Sequence, residues 1–189
     1  MKISLLNKSI YLLLSLSLFV GFYLGEDSSG SGGHIADFNN TWGYVEALKN
    51  ALFVLPSKWA LHTPLHYIIL SKIYIFIESK YIIRIIFCIF SISLPFLFYL
   101  SLKINYPNID KNNLLILASL IFLFPSFRSG AIWANSHITA IFFLLLFLIF
   151  FLKWIKGSNF KELNTNIYLQ LIFLALAVYT RQYYALIYI

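Results

Sequence analysis

Long uncharged apolar runs alternate with short charged segments along this chain. Five runs of 16 to 24 residues contain no Asp, Glu, Lys or Arg, and they cover residues 9–25, 85–102, 112–127, 129–152 and 163–180. A helix needs about 20 predominantly apolar residues to cross the hydrocarbon core of a bilayer. The pattern therefore predicts five spans at about 9–25, 85–102, 112–127, 137–152 and 166–189, the last continuing through Arg181 to the end of the sequence.

The composition agrees with this pattern and excludes several classes of protein. Of the 189 residues, 60% are hydrophobic and 11% are charged, whereas soluble domains have about 45–50% apolar and about 25% charged residues. A soluble enzyme, a disordered tail and a secreted disulfide scaffold are excluded. The net charge of +7 comes from scattered Lys and Arg with no basic stripe, so no nucleic-acid partner is expected. The expected fold is an all-α polytopic membrane protein with one transmembrane domain over residues 1–189.

The orientation of the spans depends on the segment 64–77. It is apolar but has only 14 residues and contains Lys72, which suits a re-entrant or interfacial helix better than a span. If it does not cross, the Lys-rich loops 103–111 and 153–162 face the cytoplasm, and residues 26–84 and 128–137 face outside. If it crosses, the loops 103–111 and 153–162 face outside instead. The first run follows Lys2 and Lys8 without a small-residue cleavage site, so an uncleaved signal anchor is expected.

The outer region 26–84 contains an amphipathic pattern. Hydrophobic residues recur there at spacings of 4, 3, 3 and 4, which is typical of one face of a helix; they are Phe38, Trp42, Val45, Leu48 and Leu52. Asp37 directly precedes this stripe and is expected to cap the N-terminus of the helix. This helix is expected to be interfacial, lying along the membrane surface with the stripe dipping inward. The sequence ends in an apolar stretch without a polar exit, so we expect it to be the N-terminal part of a larger protein.

Polar side chains near the outer surface of a membrane protein are candidates for function. In the expected topology they come from the first outer region, the second outer loop and the last span: Glu26, Asp27, Asp37, His62, Arg128, Asn135, His137, Arg181 and Gln182. Acids and arginines from different loops can pair around an anionic substrate. The simpler interpretations are that Asp37 only caps its helix and that each arginine only anchors a span at the lipid headgroups.

The order of several short motifs resembles that of the C-type membrane glycosyltransferases. The motifs are His62-Thr63-Pro64-Leu65-His66-Tyr67, Arg84 at the start of the next span, Pro125 followed by Arg128, and Thr180-Arg181-Gln182-Tyr183. Protein O-mannosyltransferases and lipid A aminoarabinose transferases carry a similar Pro-Pro-Leu-x-Tyr stretch, and the branch that uses dolichol-phosphate-glucose carries a similar Arg-Gln motif. The chain departs from the family at Thr63, where relatives have proline, and at Asn135 and His137, where many have an acid.

This resemblance implies a sugar transfer at the outer face of the membrane. The Ile-, Lys- and Asn-rich usage fits an AT-rich bacterial genome, so a bacterial inner membrane is expected. A polyprenyl-phosphate-linked sugar is the implied donor and a lipid or a glycan the implied acceptor. A carboxylate of the first outer region is the implied general base: Asp37, or else Asp27 or Glu26. Donor or substrate binding is implied for the remaining candidates, which are Arg128, Arg181, Gln182, His62, Asn135 and His137. No metal ligands are predicted, although a divalent cation stays an option.

Two other classes of function fit a chain with several spans. A transporter or flippase of lipid-linked sugars explains the spans and the arginines, but it predicts polar residues in the middle of the spans, and few are present. A non-catalytic assembly subunit is the other alternative.

Overall fold

The computed structural model describes residues 3–28, 33–50, 64–157 and 160–188. The described chain is all-helical, which confirms the predicted class at this coarse level. Its α-helices are α1 Leu5–Leu24, α2 Gly33–Asn50, α3 Leu65–Ile77, α4 Lys80–Ser91, α5 Ser93–Asn105, α6 Lys111–Ser119, α7 Pro125–Ile132, α8 Ser136–Lys156 and α9 Phe160–Thr180. Two short 3-10 helices, Leu120–Leu123 and Gln182–Tyr188, follow α6 and α9.

Three of the described helical runs are long and apolar enough to cross a membrane. They are α1, the run Lys80–Asn105 that joins α4 to α5, and α8; a fourth is added if Lys111–Leu123 and α7 are taken as one broken span. Helix α9 has 21 residues but is not among them, and its first two turns are polar in sequence. The predicted count of five spans is therefore not confirmed.

The third predicted span is bent. Its two parts, Lys111–Leu123 and α7, meet at an angle of 68°. The break falls at Phe124, which is extended with φ −75° and ψ 119°, and Pro125 opens the next helix. Proline disfavours the helical conformation in the residue before it, and it fits well in the first turn of a new helix. The run 112–127 is consequently not one continuous helix.

The last predicted span is also interrupted. Helix α9 ends at Thr180, and the 3-10 helix begins at Gln182. Arg181 lies between them, with its backbone amide still bonded to the Ala177 carbonyl. The prediction of a single helix through Arg181 to the end of the sequence is therefore wrong.

Helix α3 corresponds to the short segment that determines the expected orientation. It has 13 residues and therefore rises only about 20 Å, which is less than the hydrocarbon thickness of about 30 Å. Its first turn lies against α8, where His66 contacts Thr139. The length agrees with the prediction that this segment does not cross by itself.

The hydrophobic stripe of α2 lies on one helix face, as the spacing predicts, but it is buried against other helices, so the expectation that it dips into the membrane surface is wrong. Phe38, Trp42, Val45 and Leu48 are all less than 10% exposed, whereas Leu52 lies outside the described residues. The stripe packs into one core cluster with residues of α3, α4 and α8, for example Tyr67, Ile83 and Ile138. Helix α2 therefore presents this face to the protein, and this packing fixes which residues of α2 point towards the neighbouring loops.

Candidate functional site

Arg128 ties the end of α1 to α7. Its guanidinium forms a bidentate ion pair with Glu26, with Nε to Oε1 and Nη2 to Oε2 both at 2.7 Å. The remaining donors reach the hydroxyl of Ser17 at 2.8 Å, the carbonyl of Ser17 at 3.0 Å and the carbonyl of Phe122 at 3.2 Å. A guanidinium has five N–H donors, so every donor of Arg128 is used within the protein.

Gly21 allows this ion pair to lie against α1. A β-carbon at position 21 would collide with the Oε2 atom of Glu26 and would lie 2.9 Å from Nη2 of Arg128. Both carboxylate oxygens of Glu26 already accept hydrogen bonds from Arg128. Glu26 and Arg128 thus satisfy each other. Asp27 and Asp37 remain as candidate acids, and Arg181 remains as the candidate anion-binding arginine.

Asp27 binds the start of α2. Its carboxylate accepts hydrogen bonds from the backbone amides of His34 at 3.3 Å and Ile35 at 3.1 Å, and from the hydroxyl of Ser129 at 2.9 Å. Burial raises the pKa of Asp27, but the hydrogen bonds from Ile35, Ser129 and His34 outweigh it and leave the pKa below its ordinary value. The charged carboxylate thus satisfies helix-end amides that have no partner within the helix.

Asp37 is the fifth residue of α2, because that helix begins at Gly33. The prediction that Asp37 caps the N-terminus is therefore wrong, and the distant Asp27 takes that role. The side chain of Asp37 is 60% exposed. Its Oδ2 atom accepts one hydrogen bond of 3.3 Å from the amide of Asn135 and lies 4.0 Å from Nδ1 of His34.

A polar cavity of about 280 Å³ opens beside Asp37. Its lining combines residues of α2, α3 and the α7–α8 connection with Arg181: Asp37, Phe38, Thr41, His66, Tyr67, Trp133, Ala134, Asn135, Ser136, His137 and Arg181. The Nε atom of Arg181 is buried and has no hydrogen-bond partner among the described residues. The cavity therefore places an acid and an arginine with an unused donor around one space.

The first turn of α8 forms one wall of this polar cavity. Asn135 caps α8, and its Oδ1 atom accepts from the backbone amide of His137 at 2.9 Å. Its side-chain nitrogen therefore faces Asp37 and His34. The Nδ1 atom of His137 lies 2.7 Å from the hydroxyl of Tyr183 in the C-terminal 3-10 helix. Ala134, just before the cap, has a left-handed backbone with φ 47°, which turns the chain sharply at the cavity wall.

His66 lies in the lining but is not a cationic group. It is 2% exposed, and its Nδ1 atom lies 2.9 Å from the hydroxyl of Thr139. Burial lowers its pKa to about 3; the Ala134 backbone opposes this shift, and the nearby Arg181 and His137 add to it. His66 is therefore neutral at physiological pH, and the positive charge in the lining comes from Arg181. His66 belongs to the motif that carries the family resemblance, but its burial in the cavity wall against Thr139 is not predicted by the sequence.

Arg84 belongs to a separate stack beside the ion pair. Its guanidinium lies 3.5 Å from the centroid of the Trp133 ring, and its Nε atom donates to the carbonyl of Ile132 at 3.0 Å. The indole N–H of Trp133 donates to the backbone carbonyl of Glu26 at 3.0 Å. These contacts hold the C-terminal end of α7 against α1 and α4.

The structure divides the predicted site residues into two groups. Asp37, Asn135, His137 and Arg181 line the polar cavity, whereas Glu26, Asp27 and Arg128 form the junction between α1, α2 and α7. Gln182 begins the following 3-10 helix and is not among the described lining residues. His62 lies outside the described residues.

Within the described ranges, no group of three or more His, Cys, Asp or Glu side chains is arranged to hold a metal ion. Comparisons of the chain with family models, curated proteins and solved structures find no match.

Substitution of Arg128 by lysine should destabilise the junction. Lysine keeps the charge but loses the planar fork that binds both oxygens of Glu26 and both acceptors of Ser17. We expect the free energy of unfolding to fall by about 1–3 kcal/mol, measured by thermal unfolding of the purified protein in detergent. Glu26→Gln should lower the free energy of unfolding less in an Arg128→Lys background than in the unmodified protein, because the two residues form one interacting pair. An unchanged midpoint for Arg128→Lys would refute this account.

Asp27 should make the stability of the protein depend on acid pH. Its pKa is lower in the folded chain than its ordinary value of 3.8, so its contribution is present above that value and is lost as the pH falls through the folded pKa. Asp27→Asn should therefore unfold at a lower temperature than the unmodified chain at neutral pH, with the gap closing below about pH 3.8. The exposed Glu46→Gln is the control. A difference in unfolding temperature that stays constant with pH would show that the charge of Asp27 does not contribute to stability.

Proposed function

We propose that this chain is part of a membrane glycosyltransferase that moves a sugar from a polyprenyl-phosphate-linked donor to an acceptor at the outer face of the membrane. The observation that carries the proposal is the polar cavity, in which Asp37 and the unpartnered Nε atom of Arg181 line the same space. An acid that accepts a proton and a cation that binds phosphate are the two groups this reaction needs. The motif resemblance to C-type glycosyltransferases adds independent support from the sequence.

The proposed environment is an integral membrane protein with its cavity outside the cytoplasm. Three helical runs of membrane-crossing length, and a fourth broken one, support membrane insertion. Lysines concentrate at the opposite ends of these helices, at Lys103, Lys111, Lys153 and Lys156. Short lysine-rich loops favour the cytoplasmic side, so the polar cavity faces outward in this arrangement.

Asp37 is the proposed general base because the other two acids are occupied. Glu26 gives both oxygens to Arg128, and Asp27 gives both to the start of α2. Asp37 is mostly exposed and accepts one long hydrogen bond. A base must reach the proton of the acceptor in the site, and of these three acids Asp37 is the one that lines the polar cavity.

Arg181 and the start of α8 are the proposed binding site for the donor phosphate. A helix of 21 residues carries a partial positive charge at its N-terminus, and Ser136 and His137 bring that end into the polar cavity. An arginine donor without a partner in a buried place is costly, and a phosphate oxygen would satisfy it. Arg181 can therefore stabilise charge on the departing polyprenyl phosphate.

The proposed reaction is a substitution at the anomeric carbon of the donor sugar. The acceptor hydroxyl oxygen forms the new bond to that carbon while its proton passes to the Asp37 carboxylate. The bond from the carbon to the phosphate oxygen breaks, and its electron pair leaves with the polyprenyl phosphate beside Arg181. General-base catalysis of this kind contributes about 10²–10⁴-fold to the rate.

Asp37→Asn should abolish most of the transfer without unfolding the protein. Asparagine keeps the size and an acceptor for Asn135 but cannot take a proton. We expect transfer to fall by about 10²–10⁴-fold, measured in proteoliposomes with tritiated mannosyl- and glucosyl-polyprenyl phosphates and extracted bacterial glycans and lipids as acceptors. The matched variants Asp27→Asn and Glu26→Gln should change stability more than turnover.

The same assay separates the alternatives. Full activity of Asp37→Asn together with loss in Asp27→Asn would make Asp27 the base. Full activity of all three variants would reject the carboxylate mechanism. Movement of the labelled donor across the bilayer with its sugar–phosphate bond intact would instead indicate a flippase.

Arg181→Gln should weaken binding of a lipid phosphate. Farnesyl phosphate serves as the probe, and its dissociation constant is measured with the purified protein in nanodiscs. We expect an increase of about 10- to 100-fold for Arg181→Gln, since hydrogen bonds to charged groups are worth about 1.5–3 kcal/mol, and a smaller increase for Arg181→Lys. Lys103→Gln, at the opposite helix ends, is the control. Equal affinity of Arg181→Gln and the unmodified protein would exclude Arg181 from phosphate binding.

A further inference from the structure

A second space of about 420 Å³, here called the His34 groove, lies on the other side of the α7–α8 connection. Its walls are mainly apolar and come from α2, α7 and α8: His34, Phe124, Ser126, Phe127, Gly130, His137, Ile138 and Ile141. His137 lines both this groove and the polar cavity. The two spaces are therefore neighbours that share a wall.

The hydrogen-bond network fixes which atom His34 presents to the groove. The Oδ1 atom of Asn135 is bound by the amide of His137, so its NH₂ group faces His34. An NH₂ group only donates, and Nδ1 of His34, at 3.3 Å, must accept. Neutral His34 therefore carries its proton on Nε2. That atom lies on the groove side, 3.7 Å from where a β-carbon of Gly130 would stand.

The charge of the groove differs from that of the polar cavity. No Lys or Arg is found among the described residues that line the groove, whereas Arg181 lines the cavity. A phosphate in the groove would thus lack a cationic partner such as Arg181, which lines the neighbouring polar cavity. The groove instead offers the Nε2–H of His34, the hydroxyl of Ser126 and the ring of His137 beside mainly apolar walls, which fits a neutral oxygen attached to an apolar body.

The groove opens where the broken span bends. Phe124, at the break before Pro125, is 61% exposed, and Ser126 is also exposed. Leu123 beside them is 56% exposed. An exposed apolar rim of this kind admits a lipid-like molecule from the side, between the two halves of the bent span, without passage through the polar cavity.

We propose that the His34 groove binds an alcohol with a long apolar body, whose hydroxyl oxygen accepts from Nε2 of His34. This site is separate from the polar cavity, because Asp37 is not among the described residues that line the groove.

Photolabelling tests this binding without any need for turnover. The probe is hexadecanol with a mid-chain diazirine, added to the purified protein in nanodiscs, and the labelled peptides are located by mass spectrometry. We expect labels within residues 124–141 that unlabelled hexadecanol displaces. His34→Phe, which keeps a ring but no donor, should weaken this displacement about fivefold, the effect of one neutral hydrogen bond, and His34→Gln should restore most of it.

Two further variants test the walls of the groove. Ile141→Trp should fill the groove and remove the label, whereas Ile172→Trp, at an exposed position of α9, should leave it unchanged. Labels spread evenly over exposed apolar residues such as Val20, Phe76 and Tyr179 would show ordinary lipid contact and overturn the proposal. So would stronger labelling of the groove by hexadecyl phosphate carrying the same diazirine, since the donor chain would then occupy it. Specific alcohol labelling with no sugar transfer by any assay would reject the transferase alone.

Discussion

The ion pair between Glu26 and Arg128 constrains the rest of this structure. A guanidinium that is largely removed from water requires acceptors for all its donors, and here they come from α1 and from the segment before α7. Satisfying them brings the end of α1 to the bent span. Asp27 is the next residue, so it arrives beside Ser129 and the start of α2. The start of α2 is then fixed, and the regular spacing of that helix carries Asp37 to the polar cavity.

Three acids of similar intrinsic chemistry thus have different roles because their hydrogen-bond partners differ. Glu26 is neutralised by a bidentate arginine, and Asp27 is satisfied by helix-end amides and a hydroxyl. Asp37 accepts one long hydrogen bond from Asn135 and is mostly exposed. The environment of each carboxylate, rather than its distance from the first span, separates the acids that hold the fold from the acid that stays exposed in the polar cavity.

The sequence is most informative where a single periodic pattern determines the outcome. The spacing of Phe38, Trp42, Val45 and Leu48 predicts that they share one helix face, and the uncharged runs predict the long helices. The breaks at Phe124 and Arg181 are harder to place, since hydropathy does not detect a local change of backbone direction, although Pro125 marks the first of them.

Contacts between distant residues could not be derived from spacing. The pairing of Arg128 with Glu26 joins residues 102 positions apart, and several acids compete for each arginine in the sequence. The same limit applies to the helix cap. Local rules assign it to Asp37, but tertiary packing brings in Asp27, eight residues before Ile35. The sequence predicts the cavity residues Asn135, His137 and Arg181 as site residues, whereas the positions of His34 and His66 depend on the packing of α2 and α3.

Gly21 has a consequence for how this protein can diverge. Its missing side chain is the space in which the ion pair lies, so a larger residue there would push Glu26 away from Arg128. Positions 21, 26 and 128 therefore form one packed unit, although they are far apart in the chain. Among homologous sequences they should change together, with a side chain at position 21 accompanied by loss of the acid and the arginine. A lineage that abandons this unit must find another way to join the first helix to the bent span.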